Sequence, residues 1–244
     1  MTDAGAPRPG RRERRRAQTT EQILEAARRR LTTDGAASVT LRAIARDLDT
    51  GVASLYRYFA SRDALITELL VEAYDSQADA VAAAVGDHPD AADALLAAVH
   101  AYRSWSLTHP TQFALAYGTP LPGYEAPPER TVGPGVRVGG LVIGLVSTLW
   151  RDSRLDPARV RQRDADLSVA ERRGLEALAQ RRGYDVPVAL LSLVIDLLVR
   201  IHGFVGMEVF GQLRPITSAP ADTFARTARD ALTHLGLAVE PSTT

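Results

Sequence analysis

Apolar residues recur every three or four positions through most of the chain, the spacing of amphipathic helices. Ile23, Leu24, Ala27 and Leu31 form the stripe of a first helix, and Asp34-Gly35 supplies its stop. Leu41, Ile44, Ala45 and Leu48 form a second stripe behind Thr40, whose hydroxyl suits an N-cap. The polar turn Asp49-Thr50-Gly51 interrupts the pattern. Val52, Leu55 and Phe59 then follow at i, i+3 and i+7 and face inward. Ala53, Ser54, Tyr56, Arg57 and Tyr58 are left facing outward or sideways. Ser61 caps a long helix over residues 62–85, with Leu65, Ile66, Leu69 and Leu70 inside. The pattern therefore predicts a compact three-helix head followed by a long connecting helix.

The remaining chain reads as almost wholly helical, so the fold class is all-α. Helices are predicted over residues 90–108, 110–117, 136–152, 168–182, 187–212 and 221–235. Residues 118–135, rich in Gly and Pro, read as a loop, 153–167 as a polar connector, and the last nine residues as a frayed tail. Gly133, Gly135 and Gly139 miss the spacing of a dinucleotide-binding loop. The 187–212 helix is apolar nearly all round. Asp196, Arg200, His202 and Glu208 interrupt it, and each is expensive in lipid, so a helix buried in protein fits better than a membrane span.

Two neighbouring tyrosines and an arginine on one short helix give the head its chemistry. Tyr hydroxyls bind phosphate oxygens, and Ser and Arg reach base edges. The candidate DNA contacts are Thr40, Arg42, Val52, Ala53, Ser54, Tyr56, Arg57, Tyr58 and Arg62; the plainer alternative is a helical hairpin whose tyrosines pack on a neighbour. Charge separates the two halves of a chain that sums to zero. Residues 1–62 hold 13 Arg against 7 Asp/Glu, net +6, and residues 63–244 hold 16 Arg against 22, net −6. A basic head on an acidic body points to a polyanion at one end. Arg8, Arg11, Arg12, Arg14, Arg15 and Arg16 lie in a stretch with Pro and Gly that reads as a disordered arm over residues 1–18. Such an arm would follow phosphates or enter a minor groove. An inert charged tail and an Arg-rich transit peptide are the alternatives; Pro7, Pro9 and Gly10 weaken the second.

There is no cysteine, hence no disulfide, thiolate nucleophile or zinc-thiolate site, and no secretory signal, which makes the cytoplasm the expected compartment. The five histidines show no metal spacing, and neither a Ser/His/Asp arrangement nor a Gly-x-Ser-x-Gly turn is present. No cofactor, metal or catalytic residue is expected, and an all-helical enzyme is the lesser reading. Tyr102, Trp105, Phe113, Tyr117 and Trp150 concentrate aromatics mid-chain, either as a ligand pocket between helices or simply as core. His202 reads as a hydrogen-bonded core histidine. The 187–212 helix and the last helix offer Leu190, Val194, Leu197, Ile201, Phe224, Ala228 and Leu232 as a homodimer interface across a twofold axis.

Residues 19–70 resemble the N-terminal domain of the TetR family of bacterial transcriptional regulators. The resemblance rests on Ile23-Leu24-Glu25-Ala26-Ala27, on Thr40 to Leu48, on Leu55-Tyr56-Arg57-Tyr58-Phe59 and on Arg62-Asp63-Ala64-Leu65. Asp49 and Thr50 stand where the family has Gly and an apolar residue, and Tyr58 where it most often has His. Residues 100–125 and 199–214 resemble the family's C-terminal domain named for Trp and His-Gly, through His109 to Leu115, Tyr117-Gly118-Thr119-Pro120 and Ile201 to Glu208; Leu198 replaces the Trp. The resemblance implies a DNA-binding head over 19–64, a ligand-binding and dimerisation domain over 65–236, and a tail over 237–244. It implies a homodimeric regulator on double-stranded DNA, a repressor released from a palindromic operator by a small-molecule effector, with half-site centres ~34–36 Å apart. A regulator without an effector, or an activator, is the alternative.

Overall fold

The computed structural model describes residues 10–238, so Arg8 of the expected arm and the end of the expected tail lie outside the described residues. Twelve α-helices and one 3-10 turn are present there; the described residues hold no strand, only an isolated antiparallel bridge between Leu155 and Leu237. The chain divides into two compact units. The first holds residues up to Ala73 together with Thr111–Val132; the second holds Tyr74–Pro110 and the chain from Gly133 onward.

The first unit contains α1 (Arg11–Asp34), the 3-10 turn Ala36–Ser38, α2 (Leu41–Asp47), α3 (Val52–Leu55) and the start of α4 (Arg62–Gly86). Local chemistry sets these ends. Thr40 Oγ1 accepts from Ala43 N at 3.2 Å, and Ser61 Oγ accepts from Ala64 N at 3.0 Å. Asp49 takes a left-handed φ of 47°, which turns the chain between α2 and α3. The inward stripes meet in one core that includes Ile23, Leu31, Ile44, Leu55, Phe59 and Ile66. Each such side chain contributes about 1.5–3 kcal/mol by leaving water.

Two expectations change here. Residues 11–18 were expected within a disordered arm but form the first two turns of α1. The expected boundary at residue 64 also fails to mark a unit. Segment 111–132, with most of α6 (Pro110–Tyr117), packs Leu115, Leu121 and Tyr124 on the head core. Tyr124 Oη lies 3.0 Å from Thr67 Oγ1, and Arg130 Nη2 donates to Glu68 at 2.7 Å. The stretch 118–135 is not all loop, because α7 (Pro128–Gly135) forms within it.

The second unit contains the rest of α4, α5 (Ala91–Thr108), α8 (Arg137–Arg151), α9 (Pro157–Asp166), α10 (Val169–Arg182), α11 (Val188–Val209) and α12 (Pro220–Leu235). Helix α9 occupies the expected polar connector: Asp156 caps it by accepting from Ala158 N at 2.8 Å, Pro157 opens it, and only Val160 is buried. Helix α11 packs on α5, α8, α9, α10 and α12.

Helix α11 and the stretch Pro128–Arg151 are long and apolar enough to cross a membrane, with mean hydropathy of 2.1 and 1.5. Three of the four polar interruptions of α11 find partners inside the chain, Asp196 with Arg163, His202 with Tyr102, and Glu208 with Arg103, and Arg200 is exposed.

The expected dimer-interface residues are corrected. Leu190, Val194, Leu197, Ile201, Phe224, Ala228 and Leu232 are all buried within the single chain. α12 covers that stripe of α11, so it is intramolecular core. The apolar side chains α11 leaves exposed are Ile195, Val199 and Met207, with Phe210 just beyond its end.

Candidate nucleic-acid interface

The α2–turn–α3 segment sorts its side chains by face. Leu41, Ile44, Ala45, Leu55 and Phe59 are buried, while Arg42, Arg46, Ala53 and Arg57 are exposed. Tyr56, 56% exposed, is the most open aromatic of the head. An exposed ring flanked by guanidinium groups, on a scaffold fixed from behind, can enter a major groove and meet base edges or phosphates.

The recognition helix is short. Only Val52–Leu55 is α-helical; the chain continues as a tight turn in which Tyr58 N donates to Leu55 O at 2.9 Å. Ser54 Oγ donates to Gly51 O at 2.7 Å and lies 3.0 Å from Thr50 Oγ1. Its proton is committed locally, so it can offer a base edge only an acceptor. Val52 is half-buried on the core side. Tyr58 is also half-buried against the core, with the Arg16 guanidinium 5.6 Å above its ring. Thr40 Oγ1 accepts the cap bond of α2, which leaves its O–H proton able to donate outward.

Arg62, expected as a DNA contact, is engaged within the head. Its Nε donates to Val39 O at 3.0 Å and its Nη2 to Ala36 O at 3.1 Å, while Nη1 sits 3.8 Å from Asp63. The guanidinium staples the start of α4 to the 3-10 turn and the approach to α2. Two further arginines act similarly. Arg30 grips Asp47 at 2.5 and 2.7 Å, tying α1 to α2 and holding the Asp47 carboxyl below its usual range. Arg28 joins Glu72 at 3.0 Å and Glu21 at 2.9 Å.

Comparison with known proteins agrees with this geometry. The family model described as bacterial regulatory proteins, tetR family, matches residues 23–69, and the tetracyclin repressor-like C-terminal domain matches residues 95–231. The HTH-type transcriptional regulators Rv1816 of Mycobacterium tuberculosis and Mb1846 of Mycobacterium bovis are each 36% identical over 207 residues, 84% of this chain and 86% of theirs. This chain belongs to the TetR family. Among solved structures, regulatory protein SCO4313 is similar with a TM-score of 0.72 and 29% identity, covering 93% of this chain and 100% of that one. A bacterial regulatory protein in the tetR family from Rhodococcus RHA1 shares the fold at a TM-score of 0.58 and 17% identity, over 91% of this chain and 99% of that one. The protein is thus a DNA-binding transcriptional regulator of a non-enzymatic, dimerising family whose C-terminal domain binds ligands.

The residues matched by the family's C-terminal domain, 95–231, cover most of the second unit and part of the first, and a few polar side chains pair within the second unit's apolar interior. Tyr102 Oη lies 2.7 Å from His202 Nδ1, and burial pushes the His202 pKa down. Trp105 Nε1 donates to Ser76 Oγ at 3.0 Å, and its ring stacks on His109 at 5.0 Å. The buried Ser106 donates to Tyr102 O at 2.7 Å, and the buried Gln77 reaches Ser106 at 3.5 Å. Arg103 holds Glu208 at 2.5 and 2.7 Å. Of the five expected pocket aromatics, Tyr102, Trp105 and Trp150 lie in this unit. Phe113 and Tyr117, their rings 5.0 Å apart, lie in the first. Gln77, Ser106 and Ser76 were missed because single polar residues in an Ala-rich helical pattern carry no positional signal.

Proposed function

We propose that the protein is a cytoplasmic repressor that binds a palindromic operator as a homodimer and is released by a small-molecule effector. The observation that carries this reading is the exposure of Tyr56, Arg57 and Arg42 on a head whose Leu41, Ile44, Leu55 and Phe59 are buried. Tyr56, Arg57 and Arg42 read the groove; Ala53 allows close approach; Ser54 offers an acceptor. The second copy docks on the apolar stripe of Ile195, Val199, Met207 and Phe210, the side of α11 that its own chain leaves open. The effector is recognised by the Tyr102, Trp105 and His202 cluster, in which polar groups are already oriented inside an apolar unit. Effector binding changes operator affinity by the difference in its affinity for the two states.

Selection of genomic fragments by the purified protein tests the reading. An inverted repeat is expected, with half-site centres one duplex turn, ~34–36 Å, or a multiple of it apart. With roughly six to ten phosphate contacts, affinity is expected to fall ~10³–10⁵-fold between 50 and 200 mM salt. Tyr56→Ala is expected to lose about tenfold or more in affinity with no change in melting temperature. Recovery of unrelated fragments without a repeat, or full binding by Tyr56→Ala, would overturn it.

A further inference from the structure

We infer that the first two turns of α1 form a second DNA-binding surface, a helical brace that holds phosphates beside the groove occupied by Tyr56. The inference rests on the DNA-binding reading of the head and adds a contact element to it. Helix α1 has 24 residues, and its buried positions begin only at Ile23. Residues 11–18 are all exposed, an overhang of about 12 Å that no core requires. Five of those eight residues are Arg11, Arg12, Arg14, Arg15 and Arg16.

The two halves of this helix treat arginine differently. Arg28, Arg29 and Arg30, over the core, are each paired with a carboxylate: Glu72 and Glu21, Glu25, and Asp47. None of the ion pairs among the described residues involves the five arginines of the overhang. The one acidic side chain there, Glu13, turns back to accept from Gly10 N at 2.8 Å. Like charges crowded on successive turns destabilise a free helix. A polyanion removes that repulsion and gains counterion release.

Arg16 fixes where the overhang lies. It stands seven and eleven residues before Ile23 and Ala27, so it continues their stripe past the end of the core. There its guanidinium covers the Tyr58 ring at 5.6 Å, and Nη2 donates to Arg57 O at 3.4 Å. The basic helix is thereby joined to the turn that carries Tyr56 and Arg57. The partner is the phosphate backbone flanking the recognised groove. A helix cannot serve as an extended arm lying in a minor groove, so the contact carries no base information.

The test uses the full chain with Arg11, Arg12, Arg14 and Arg15 all changed to Gln, which keeps helix propensity. The slope of log affinity against log salt is expected to fall by about two or more, at 0.9 per phosphate. The selected operator sequence is expected to stay the same. An unchanged slope would overturn the inference, as would a changed preference for A·T-rich flanks, which would mean minor-groove reading. Arg16→Ala is expected to lower the slope by more than one contact's worth; a change of about 0.9 or less would remove the brace. Tyr56→Ala separates the two readings: it is expected to weaken sequence selection while leaving the salt slope largely intact. Failure of the wild-type chain to select DNA would sink the head reading before the overhang came into question.

Discussion

The two units of this chain differ in how deeply their most enclosed ion pair is held. In the first unit each paired carboxylate keeps about a third or more of its surface exposed, as Glu25 does beside Arg29, although Thr67 and Thr131 are buried there. In the second unit, Tyr102, His202, Gln77, Ser106, Arg103 and Glu208 turn inward. A surface pair is worth little to stability, because water replaces either partner. An inward pair leaves a stranded group when one member is removed. The first unit thus keeps its paired carboxylates within reach of water, whereas the second encloses one pair, Arg103 and Glu208.

That contrast is most exposed to test at Glu208. Its carboxylate and the Arg103 guanidinium are only 10% and 18% exposed. Glu208→Ala is expected to destabilise the protein by about 3 kcal/mol or more, measured by chemical denaturation. Glu25→Ala, which breaks an i,i+4 pair about 60% exposed on both sides, is expected to change stability by ~0.5 kcal/mol or less. Equal losses from the two would erase the distinction between the units.

Arg62 sharpens the same contrast within the head, because it is a surface arginine turned to structural use. Arg62→Ala is expected to cost about 1.5–3 kcal/mol, since two backbone carbonyls lose a charged donor. Arg42→Ala, at an exposed position that no core needs, is expected to weaken operator binding and leave the melting temperature unchanged. If Arg62→Ala melted normally and lost affinity instead, it would return to the groove face.

Short-range pattern made the head readable. Thr40, Leu41, Ile44 and Leu55 each act through neighbours within one or two turns, and the structure uses them as the spacing implies. What escaped was long-range. Nothing near Arg62 in sequence says that its guanidinium finds carbonyls 23 and 26 residues back. Helices α7 and α9 bury one residue each, Thr131 and Val160, too little to leave a periodic stripe. α11 is apolar on several sides, so periodicity could not say which stripe meets α12 and which stays open; the stripe assigned to a partner is filled by the chain itself. The five proposed pocket aromatics divide between two units for a related reason: composition gathers residues along the chain and says nothing of their packing.

The smallest expected effect concerns pH. Burial lowers the His202 pKa below its ordinary 6.5, so the folded chain favours the neutral ring beside Tyr102. The unfolded chain protonates first as pH falls through that value and binds more protons than the folded one. His202 therefore contributes stability that is present above about pH 6.5 and is lost as pH drops toward its folded value. His100 shifts the same way, through burial of its ring edge on Phe224 and the nearby Arg103, although the residue as a whole stays exposed. Asp47, lowered by Arg30, titrates only in the more acidic carboxylate range and does not disturb this window. Melting temperature is therefore expected to decline from pH 7 to pH 5. His202→Gln, which keeps a hydrogen-bonding side chain and removes the titration, is expected to flatten that decline without abolishing it, because His100 remains. A steeper decline in the variant would place the proton-binding difference elsewhere and deny the second unit its neutral histidine.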